Sequence, residues 1–228
     1  FYEIIVGGAA FNQEVEQFLK RIGFPYTVGY GATECAPIIC YADHNDFVPG
    51  SCGKPVVHME VKIDSPDPAK VPGEILARGL NVMLGYYKNE EATASTLDAE
   101  GWYHTGDLGL MDADGNVFIK GRSKNMLLGA SGQNIYPEEI EDKLNSLAMV
   151  NESVVVQRGE KLVGLVYPDY DEADTMRLNE ADLEKIMEQN RQELNADQPP
   201  YCRLSAIEIV KEEFEKTPKK SIKRYLYK

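Results

Sequence analysis

Three short motifs in the chain carry residue types that can bind a phosphorylated ligand. The first is Tyr30-Gly31-Ala32-Thr33-Glu34, which follows a short β-like stretch. Glycine lets a backbone approach a ligand closely, and a threonine hydroxyl with nearby N–H groups can bind phosphate. A neighbouring carboxylate is a hard oxygen ligand that suits Mg²⁺. Considered alone, however, such a motif is more often an ordinary turn with a helix cap.

The second motif is Tyr103-His104-Thr105-Gly106-Asp107-Leu108, and the third begins at Gly121-Arg122-Ser123-Lys124. An aspartate just after a glycine turn can accept two hydrogen bonds from a ribose diol. Arginine offers a planar fork of donors for phosphate or ribose oxygens. The plain alternatives are an Asx turn for the second motif and a basic linker for the third.

The elements that would position these motifs change along the chain. Residues 1–50 are predicted to form strand, helix, strand and loop, which is typical of part of a parallel sheet. Asn12 is the expected N-cap of that helix, and Gly23 should end it. Residues 51–121 lose helical periodicity and are interpreted as a small β subdomain, either a barrel or a bent sheet. Its expected strands are Met59–Ile63, Gly73–Arg78, Leu108–Met111 and Val117–Lys120.

Beyond the third motif the pattern becomes α+β. Pro137 is expected to start one helix, and Asn179 is expected to cap another. Residues 122–124 would then form a hinge before a C-terminal α+β domain, 125–228. The strands predicted in this domain are Val154–Val156, Leu162–Tyr167 and Ile207–Val210.

Composition excludes several classes of protein. The 228 residues carry 24 Lys and Arg against 37 Asp and Glu, a formal net charge of −13. This acidic balance argues against general binding to nucleic acid or to anionic membranes. No apolar run approaches the roughly 18–20 residues of a membrane helix. The cysteines show no CxxC pair, which favours a reduced, cytoplasmic protein over a disulfide scaffold or a zinc site; they are Cys35, Cys40, Cys52 and Cys202.

Two further patterns carry less information. The stretch from Asp112 to Asn116 is slightly similar to a calcium loop, but Val117 stands where such a loop requires glycine. A hairpin turn at Asp114-Gly115 is therefore preferred. The three histidines, His44, His58 and His104, show no metal-ligand spacing, and only His104 lies within a motif.

Both ends of the chain are unusual. The chain opens on Phe1, without an initiator methionine, and reads like a strand already under way, so we expect a fragment of a longer protein. The last 18 residues hold seven basic and three acidic side chains, a local net charge of +4. A solvated basic end is the ordinary explanation of such a run, and a segment that meets phosphate is the specific one.

In their order and spacing, these motifs resemble the adenylate-forming superfamily, which includes acyl-CoA synthetases, nonribosomal-peptide adenylation domains and beetle luciferases. The resemblance covers essentially the whole chain. The ending Phe214–Tyr227 is most similar to the long-chain fatty acyl-CoA synthetase branch. Besides the three motifs above, the resemblance rests on Gly7-Gly8-Ala9, Gly73-Glu74-Ile75, Arg78-Gly79, Gly85-Tyr86, the glutamate-rich helix after Pro137 and the lysine-rich end.

The resemblance implies an enzyme with two half-reactions. A carboxylate attacks the α-phosphate of ATP and releases pyrophosphate, and a thiol, usually that of coenzyme A, then takes the acyl group from the acyl-adenylate. The implied small molecules are a fatty acid, ATP or AMP, Mg²⁺ and coenzyme A, with no nucleic-acid partner. The implied fold is multidomain α+β: a partial α/β sheet element, a small β-barrel-like subdomain and a mobile α+β C-terminal domain. The complete protein could work close to a membrane surface.

The resemblance also implies roles for single residues around the adenylate. Thr33 would contact phosphate, and Glu34 would hold Mg²⁺. Tyr30 would lie against the adenine, with Gly8 and Ala9 supplying backbone near its edge, and Gly31 would be a further nucleotide-binding residue.

Further along the chain the implied roles concern ribose, the hinge and coenzyme A. Asp107 would bind the ribose hydroxyls, and Arg122 would contact ribose or phosphate. Lys124 falls at the family's hinge position, and the C-terminal domain would rotate there between the half-reactions. The Gly129–Gly132 loop would join the coenzyme A tunnel, with Gly132 among the binding residues.

The chain departs from the family pattern at its basic end. Where the family places a catalytic lysine, this chain has Ser221, preceded by Lys219 and Lys220. A serine cannot supply the positive charge that stabilises the α-phosphate, so Lys220 is our candidate for the catalytic cation, with another cation as the alternative. The family's glycine- and serine/threonine-rich phosphate loop would lie before residue 1, so we expect the fragment alone to be inactive.

The expected function is therefore that of the C-terminal part of a fatty acid–CoA ligase. Two alternatives remain. The enzyme could transfer its acyl group to a carrier-protein thiol, or the chain could be a non-catalytic nucleotide-binding module, which Ser221 would favour.

Overall fold

The computed structural model describes residues 2–8, 11–218 and 221–227. The chain divides into two compact units, Phe1–Lys124 and Asn125–Lys228. The fold class is confirmed as mixed α+β with several separate sheets. The finer division at residues 50 and 121, and the hinge at 122–124, stay predictions.

The first unit begins with the predicted strand, helix and strand. Strand β1 (Ile4–Val6) pairs in parallel with β2 (Tyr26–Val28), and helix α1 (Gln13–Arg21) connects them. The Asn12 side chain accepts hydrogen bonds from two N–H groups of the first turn at 3.0 Å, so the expected N-cap is confirmed. Gly23 follows the helix with a φ of +66°, a conformation that suits glycine.

Two antiparallel sheets make up the rest of the first unit. The smaller sheet holds β3 (Tyr30–Gly31), β4 (Ile38–Tyr41) and β5 (Lys54–Pro55), in that order. The larger sheet has four strands in sequence order, and no pairing joins its first strand to its last among the described residues. The β subdomain is thus an open sheet, and the barrel-like expectation is corrected to that extent. Its elements are β6 (Met59–Asp64), β7 (Gly73–Gly79), helix α2 (Glu90–Ala94), β8 (Tyr103–Met111) and β9 (Val117–Arg122).

One strand is longer than the sequence indicated. Strand β8 includes the whole second motif, which we expected to be a loop before a strand at Leu108. Its pairing with β7 shifts between Glu74 and Leu76, so the extra residues of β8 bulge out of the ladder. Gly106 lies in this bulge with a φ of +71°, which explains why a glycine is needed there. The glycine turn of the prediction is therefore a bulge inside a strand.

The hairpin between β8 and β9 is confirmed. The Asp112 carboxylate accepts hydrogen bonds from the N–H groups of Asp114 and Asn116, at 3.0 and 2.8 Å. The first residue after the turn, Val117, is fully buried as the start of β9. These bonds fold the acidic stretch onto its own backbone, as a tight turn requires.

The second unit contains a three-stranded sheet with helices on one face. Its elements are β10 (Leu127–Leu128), β11 (Asn134–Ile135), α3 (Pro137–Leu144), β12 (Val150–Arg158), β13 (Lys161–Pro168), α4 (Tyr170–Met176), α5 (Glu180–Ala196) and β14 (Leu204–Ile209). Strands β12 and β13 are antiparallel, and β14 pairs in parallel with β13 after a helical connection. Asn179 caps α5 through a reciprocal capping box with Asp182, as expected for a helix start.

Alternation along β12 builds two apolar clusters on the opposite faces of this sheet. Val155 packs with the buried residues of α3 and α5, including Leu144 and Met187. Its neighbours Val154 and Val156 point the other way and pack with Phe214 of the C-terminal segment. Of the helices in the described part of the chain, none combines the length and hydropathy that a membrane crossing requires.

Candidate functional site

The candidate site of the first unit centres on the carboxylate of Asp107. The Tyr30 hydroxyl donates a hydrogen bond to Asp107 Oδ2 at 2.6 Å. Arg122 Nε lies 2.8 Å from Asp107 Oδ1, so each carboxylate oxygen has its own donor. The strand register explains part of this arrangement, because Asp107 and Arg122 are direct partners in the β8–β9 ladder. The structure therefore brings together three of the predicted residues.

The bulge in β8 is held by side chains next to Asp107. The Thr105 hydroxyl donates to the backbone oxygen of Ile75 at 2.7 Å and accepts from the Asp107 N–H at 3.0 Å. The Gly106 N–H donates to Glu74 Oε1 at 2.9 Å. These bonds satisfy backbone groups that the bulge removes from the ladder, and they fix the direction of the Asp107 side chain.

Burial and charge make Tyr30 a dependable donor. Burial, and then the negative charge of Asp107, raise the pKa of the Tyr30 phenol far above its ordinary value. The hydroxyl therefore keeps its proton throughout the physiological range. The Tyr30 ring itself is 7% exposed and belongs to the core of this unit. Its predicted position against an adenine stays a prediction.

Arg122 differs from its two partners in exposure. Its side chain is 61% exposed, while that of Asp107 is 12% exposed. A terminal nitrogen also lies 3.4 Å from the Thr105 backbone oxygen. The guanidinium is thus anchored at one edge and reaches solvent at the other, which is suitable for a group that contacts ribose or phosphate.

Thr33 and Glu34 lie in a short 3₁₀ turn, Thr33–Cys35, directly after β3. The Tyr86 hydroxyl donates to Glu34 Oε1 at 2.8 Å. The Met83 N–H donates to the Glu34 backbone oxygen at 2.7 Å, so residues 83–86 hold both the backbone and the side chain of Glu34. Thr33 is exposed, as a residue that contacts phosphate should be.

Two tyrosines around Glu34 have perturbed acidity. Burial, and then the hydrogen bond to Glu34, raise the pKa of Tyr86. Burial, and then the charge of Glu34, raise the pKa of Tyr103, which lies on β8 four residues before Asp107. Two protonated phenols therefore lie near the Glu34 carboxylate. The turn after β3 carries Glu34, and β8 carries both Tyr103 and Asp107, so the two carboxylates are positioned by neighbouring elements.

The residues at this turn fit a magnesium ion. Glu34 is half-buried, and the bond from Tyr86 fixes the orientation of its carboxylate. Carboxylate oxygen is the preferred protein ligand of Mg²⁺, which is commonly held by one or two carboxylates together with substrate phosphates. Glu34 beside the exposed Thr33 hydroxyl offers such a donor set.

The other predicted site residues belong to other parts of the chain, or they lie outside the described residues. Gly8 is exposed with a φ of +89°, and open space beside its Cα leaves room for a ligand next to its backbone. Lys124 is exposed in the 3₁₀ turn Ser123–Asn125. Gly132 lies in the second unit, between β10 and β11, with a φ of +82°. Ala9 and Lys220 lie outside the described residues.

Sequence reasoning missed the residues that support the two carboxylates. Thr105 and Tyr103 stand inside the second motif, yet only Asp107 received a role. Tyr86 belongs to the Gly85-Tyr86 pair, which resembles a family motif but does not by itself indicate a contact with Glu34. A carboxylate that is removed from water needs donors, so the Tyr86 hydroxyl was a candidate partner for Glu34. Thr105 contacts backbone groups, and that role could not be assigned without the pairing of the strands.

One further group of potential metal ligands occurs among the described residues: Glu3, Asp43 and His44. The His44 ring nitrogen Nδ1 lies 3.3 Å from Glu3 and 3.5 Å from Asp43. Both carboxylates already accept hydrogen bonds, Glu3 from the Tyr41 hydroxyl and Asp43 from Asn45. Hydrogen bonds that join Glu3, just before β1, to the end of β4 and the segment after it explain the arrangement.

Comparison with protein families agrees with this geometry. Residues 2–87 match the family of the AMP-binding enzymes, and residues 124–227 match the C-terminal domain of AMP-binding enzymes. The two matches cover most of the chain in the order that the motifs predicted. The chain belongs to the AMP-binding enzyme family, so the resemblance seen in the sequence is confirmed.

Curated relatives of the chain are CoA ligases with different acid substrates. The long-chain-fatty-acid–CoA ligase FadD15 of Mycobacterium bovis is 34% identical over 70% of this chain and 26% of its own length. The 2-succinylbenzoate–CoA ligase of Bacillus cytotoxicus is 36% identical over 72% of this chain and 34% of its own length. The chain thus spans about a quarter to a third of the relatives that it matches.

A solved structure shares the fold over nearly the whole chain. The anthranilate CoA ligase AuaEII, solved in complex with anthranoyl-AMP, aligns with a TM-score of 0.81 at 27% identity. The alignment covers 99% of this chain and 44% of that protein.

Proposed function

We propose that the chain is the C-terminal part of an ATP-dependent acid–CoA ligase, and that its acid is a fatty acid. The observation that carries the proposal is the Asp107 carboxylate, because Tyr30 contacts one of its oxygens and Arg122 contacts the other. Three motifs spread over 93 residues of sequence meet there within hydrogen-bond distance. A carboxylate held in this way beside an exposed guanidinium is suited to a ribose diol next to phosphate.

The adenylation step joins two anions. A carboxylate oxygen of the acid bonds to the α-phosphorus of ATP, and the bond to pyrophosphate breaks. The chain would contribute binding and orientation: Asp107 accepts from the ribose hydroxyls, Arg122 offers donors to ribose or phosphate oxygens, and Thr33 donates to phosphate. Holding both reactants in register lowers the entropic part of the barrier, and the donors neutralise developing charge.

The thioester step exchanges one acyl bond for another. The sulfur of coenzyme A attacks the acyl carbonyl of the adenylate, AMP leaves, and the thiol proton passes to solvent or to a base.

Glu34, oriented by Tyr86, would hold a magnesium ion, which when bound supplies positive charge to the phosphates of ATP. The catalytic role of Lys220, the hinge at Lys124 and the contribution of Gly132 to the coenzyme A path belong to the same proposal.

Two features support the view that further chain accompanies this segment in the working enzyme. The relatives are three to four times as long as their matched parts. The β1–β2 pair is parallel, a kind of sheet that proteins normally cover on both faces, yet Ile5 is 56% exposed and Phe18 of α1 is 48% exposed. We therefore propose that the 228-residue chain alone does not complete the reaction.

The substrate class and the cellular location are two further parts of the proposal. The similarity to FadD15 supports a fatty acid, whereas the similarity to the succinylbenzoate enzyme supports an aromatic acid. Free cysteines support a reducing compartment. A panel of fatty and aromatic acids of increasing size, offered to the complete protein, would separate the two substrate classes.

Pyrophosphate release and acyl-CoA formation by the complete protein test the proposed function. Wild-type protein should release pyrophosphate with ATP, Mg²⁺ and a fatty acid, and should form the thioester with coenzyme A. Asp107→Asn should lower kcat/KM for ATP by about tenfold to a hundredfold, the scale of one or two charge-assisted hydrogen bonds. Asp114→Asn, in the exposed β8–β9 turn, is the matched control and should leave kcat/KM unchanged.

Three results would contradict parts of this proposal. Thioester formation on a carrier protein but not on coenzyme A would identify the acceptor as a carrier thiol. AMP binding without any pyrophosphate release would indicate a non-catalytic nucleotide-binding module, the function that Ser221 favours. Equal activity of Asp107→Asn and wild type would remove the assigned site.

A further inference from the structure

The Tyr30 hydroxyl contacts the Asp107 carboxylate, but neither half-reaction described above assigns a role to this hydroxyl. We propose that this hydroxyl is a positioning group, which holds the Asp107 carboxylate in the orientation that accepts a ribose diol. The inference rests on the proposed function, since it assumes that Asp107 binds ribose. It assigns to Tyr30 a role that is separate from any stacking of its ring against a base.

The geometry of the carboxylate carries the inference. Tyr30 donates to Oδ2 at 2.6 Å, and Arg122 lies 2.8 Å from Oδ1. The two donors come from different sheets, because Tyr30 is on β3 and Arg122 is on β9. A carboxylate rotates easily about its last side-chain bond, and that torsion has broad minima. One donor on each oxygen, fixed to separate sheets, sets the plane of the group before a ligand arrives.

Burial makes the contribution of Tyr30 different from that of Arg122. The Tyr30 residue is 7% exposed, and the Asp107 residue is 8% exposed. A buried hydrogen bond to a charged group is stronger than an exposed one, and its geometry is more rigid. Most of the Arg122 side chain is exposed, so its outer edge can meet a ligand, whereas the Tyr30 hydroxyl is enclosed in the core. Tyr30 is the fixed reference for the carboxylate.

Substitution by phenylalanine isolates the hydroxyl, because it keeps the ring. Tyr41→Phe is the matched control: Tyr41, on the neighbouring strand β4, also donates to a carboxylate, that of Glu3. The probes are AMP and 2′,3′-dideoxy-AMP, which carry the same base and phosphate but differ in the ribose hydroxyls. Dissociation constants are measured by calorimetry on the complete protein, with KM and kcat for ATP and 2′,3′-dideoxy-ATP as a second readout.

The expected result is a selective loss. Tyr30→Phe should weaken AMP about tenfold, since an incorrectly oriented acceptor loses one charge-assisted hydrogen bond, and should weaken 2′,3′-dideoxy-AMP less than about twofold. KM for ATP should rise while kcat stays within about threefold. Tyr41→Phe should leave both dissociation constants unchanged.

Equal weakening of both nucleotides, or of neither, would overturn the inference while the proposed function stands. A wild-type protein that binds neither AMP nor ATP would instead defeat the proposed function. If Tyr30→Phe does not fold, the double variant with Asp107→Asn removes the buried charge, and its AMP affinity is compared with that of Asp107→Asn alone. In the Asp107→Asn background the loss of the hydroxyl should change AMP affinity less than twofold, and a tenfold change there would contradict coupling through Asp107.

Discussion

Removing the guanidinium of Arg224 should destabilise the second unit strongly, because the carboxylate that it pairs with is buried. The side chain of Glu141, on α3, is 9% exposed, and that of Arg224 is 19% exposed. Glu141 Oε2 accepts from Arg224, and Oε1 accepts from the Val155 N–H at 2.6 Å. Arg224→Met keeps much of the side-chain volume but leaves the charge without its partner. Breaking a buried pair in this way costs about 3–5 kcal/mol of unfolding free energy.

The loss should depend on pH in a defined direction. Burial raises the pKa of Glu141, and the charge of Arg224 acts against that rise. Without Arg224 the pKa of the folded state rises further above the unfolded value of 4.5. The folded variant then holds a proton that the unfolded chain releases, so its stability falls as the pH rises from 4.5 through the folded pKa, by up to about 1.4 kcal/mol per pH unit. The deficit relative to wild type should be small near pH 4.5 and largest at neutral pH.

Amide hydrogen exchange on β12 and β13 measures this unit directly, at several pH values. Arg224→Met with Glu141→Gln is the rescue variant, because a neutral amide can still accept from Val155 and should recover most of the loss. Lys223→Met is the matched control: Lys223 pairs with an exposed carboxylate, so its loss should have little effect. The fluorescence of Trp102, the single tryptophan, reports on the first unit and should not change.

The reasoning would be refuted by a deficit below about 1 kcal/mol at pH 7, against the roughly 3–5 kcal/mol expected of a broken buried pair. A deficit that is the same at pH 5 and pH 7 would also refute it, since the buried carboxylate would then not be the cause. Failure of the rescue variant would point to lost packing around the arginine stem instead.

Three further outcomes are expected from the first unit and the cysteines. Gly31→Ala should lower the unfolding free energy by more than about 2 kcal/mol in denaturant titration, because a Cβ there would lie 2.0 Å from a backbone oxygen; an unchanged midpoint would contradict this. A thiol reagent should modify the half-buried Cys202 of the native protein well before the fully buried Cys40. The pKa of Cys40 is raised by a hydrogen bond with the Cys52 thiol and by burial, so little reactive thiolate forms. Equal rates of modification would contradict this expectation. In the complete protein Glu34→Gln should raise the Mg²⁺ concentration for half-maximal activity about tenfold, as expected for one lost charged ligand, whereas Glu90→Gln in the exposed α2 helix should not.

Local structure was largely predictable because local bonds create it. The Asn12 cap, the Asp114-Gly115 hairpin and the helix after Asn179 depend on contacts within a few residues, and each is present. The second motif shows where such reasoning stops. A glycine before Asp107 signals a turn in sequence, but β7 and β9 on either side of it extend the strand through the motif and convert the turn into a bulge.

The sequence by itself determined which residues carry the chemistry, since the order and types of the motifs are sufficient to identify the family. It also indicated most of the longer helices and strands, whereas the short helix α2 lies in a stretch without helical periodicity. Only the tertiary structure decided which side chains meet. Tyr30 and Asp107 are 77 positions apart, and Glu141 and Arg224 are 83 apart. Such contacts depend on strand register and on a bulge, which are set by the packing of whole sheets and leave no local trace in the chain.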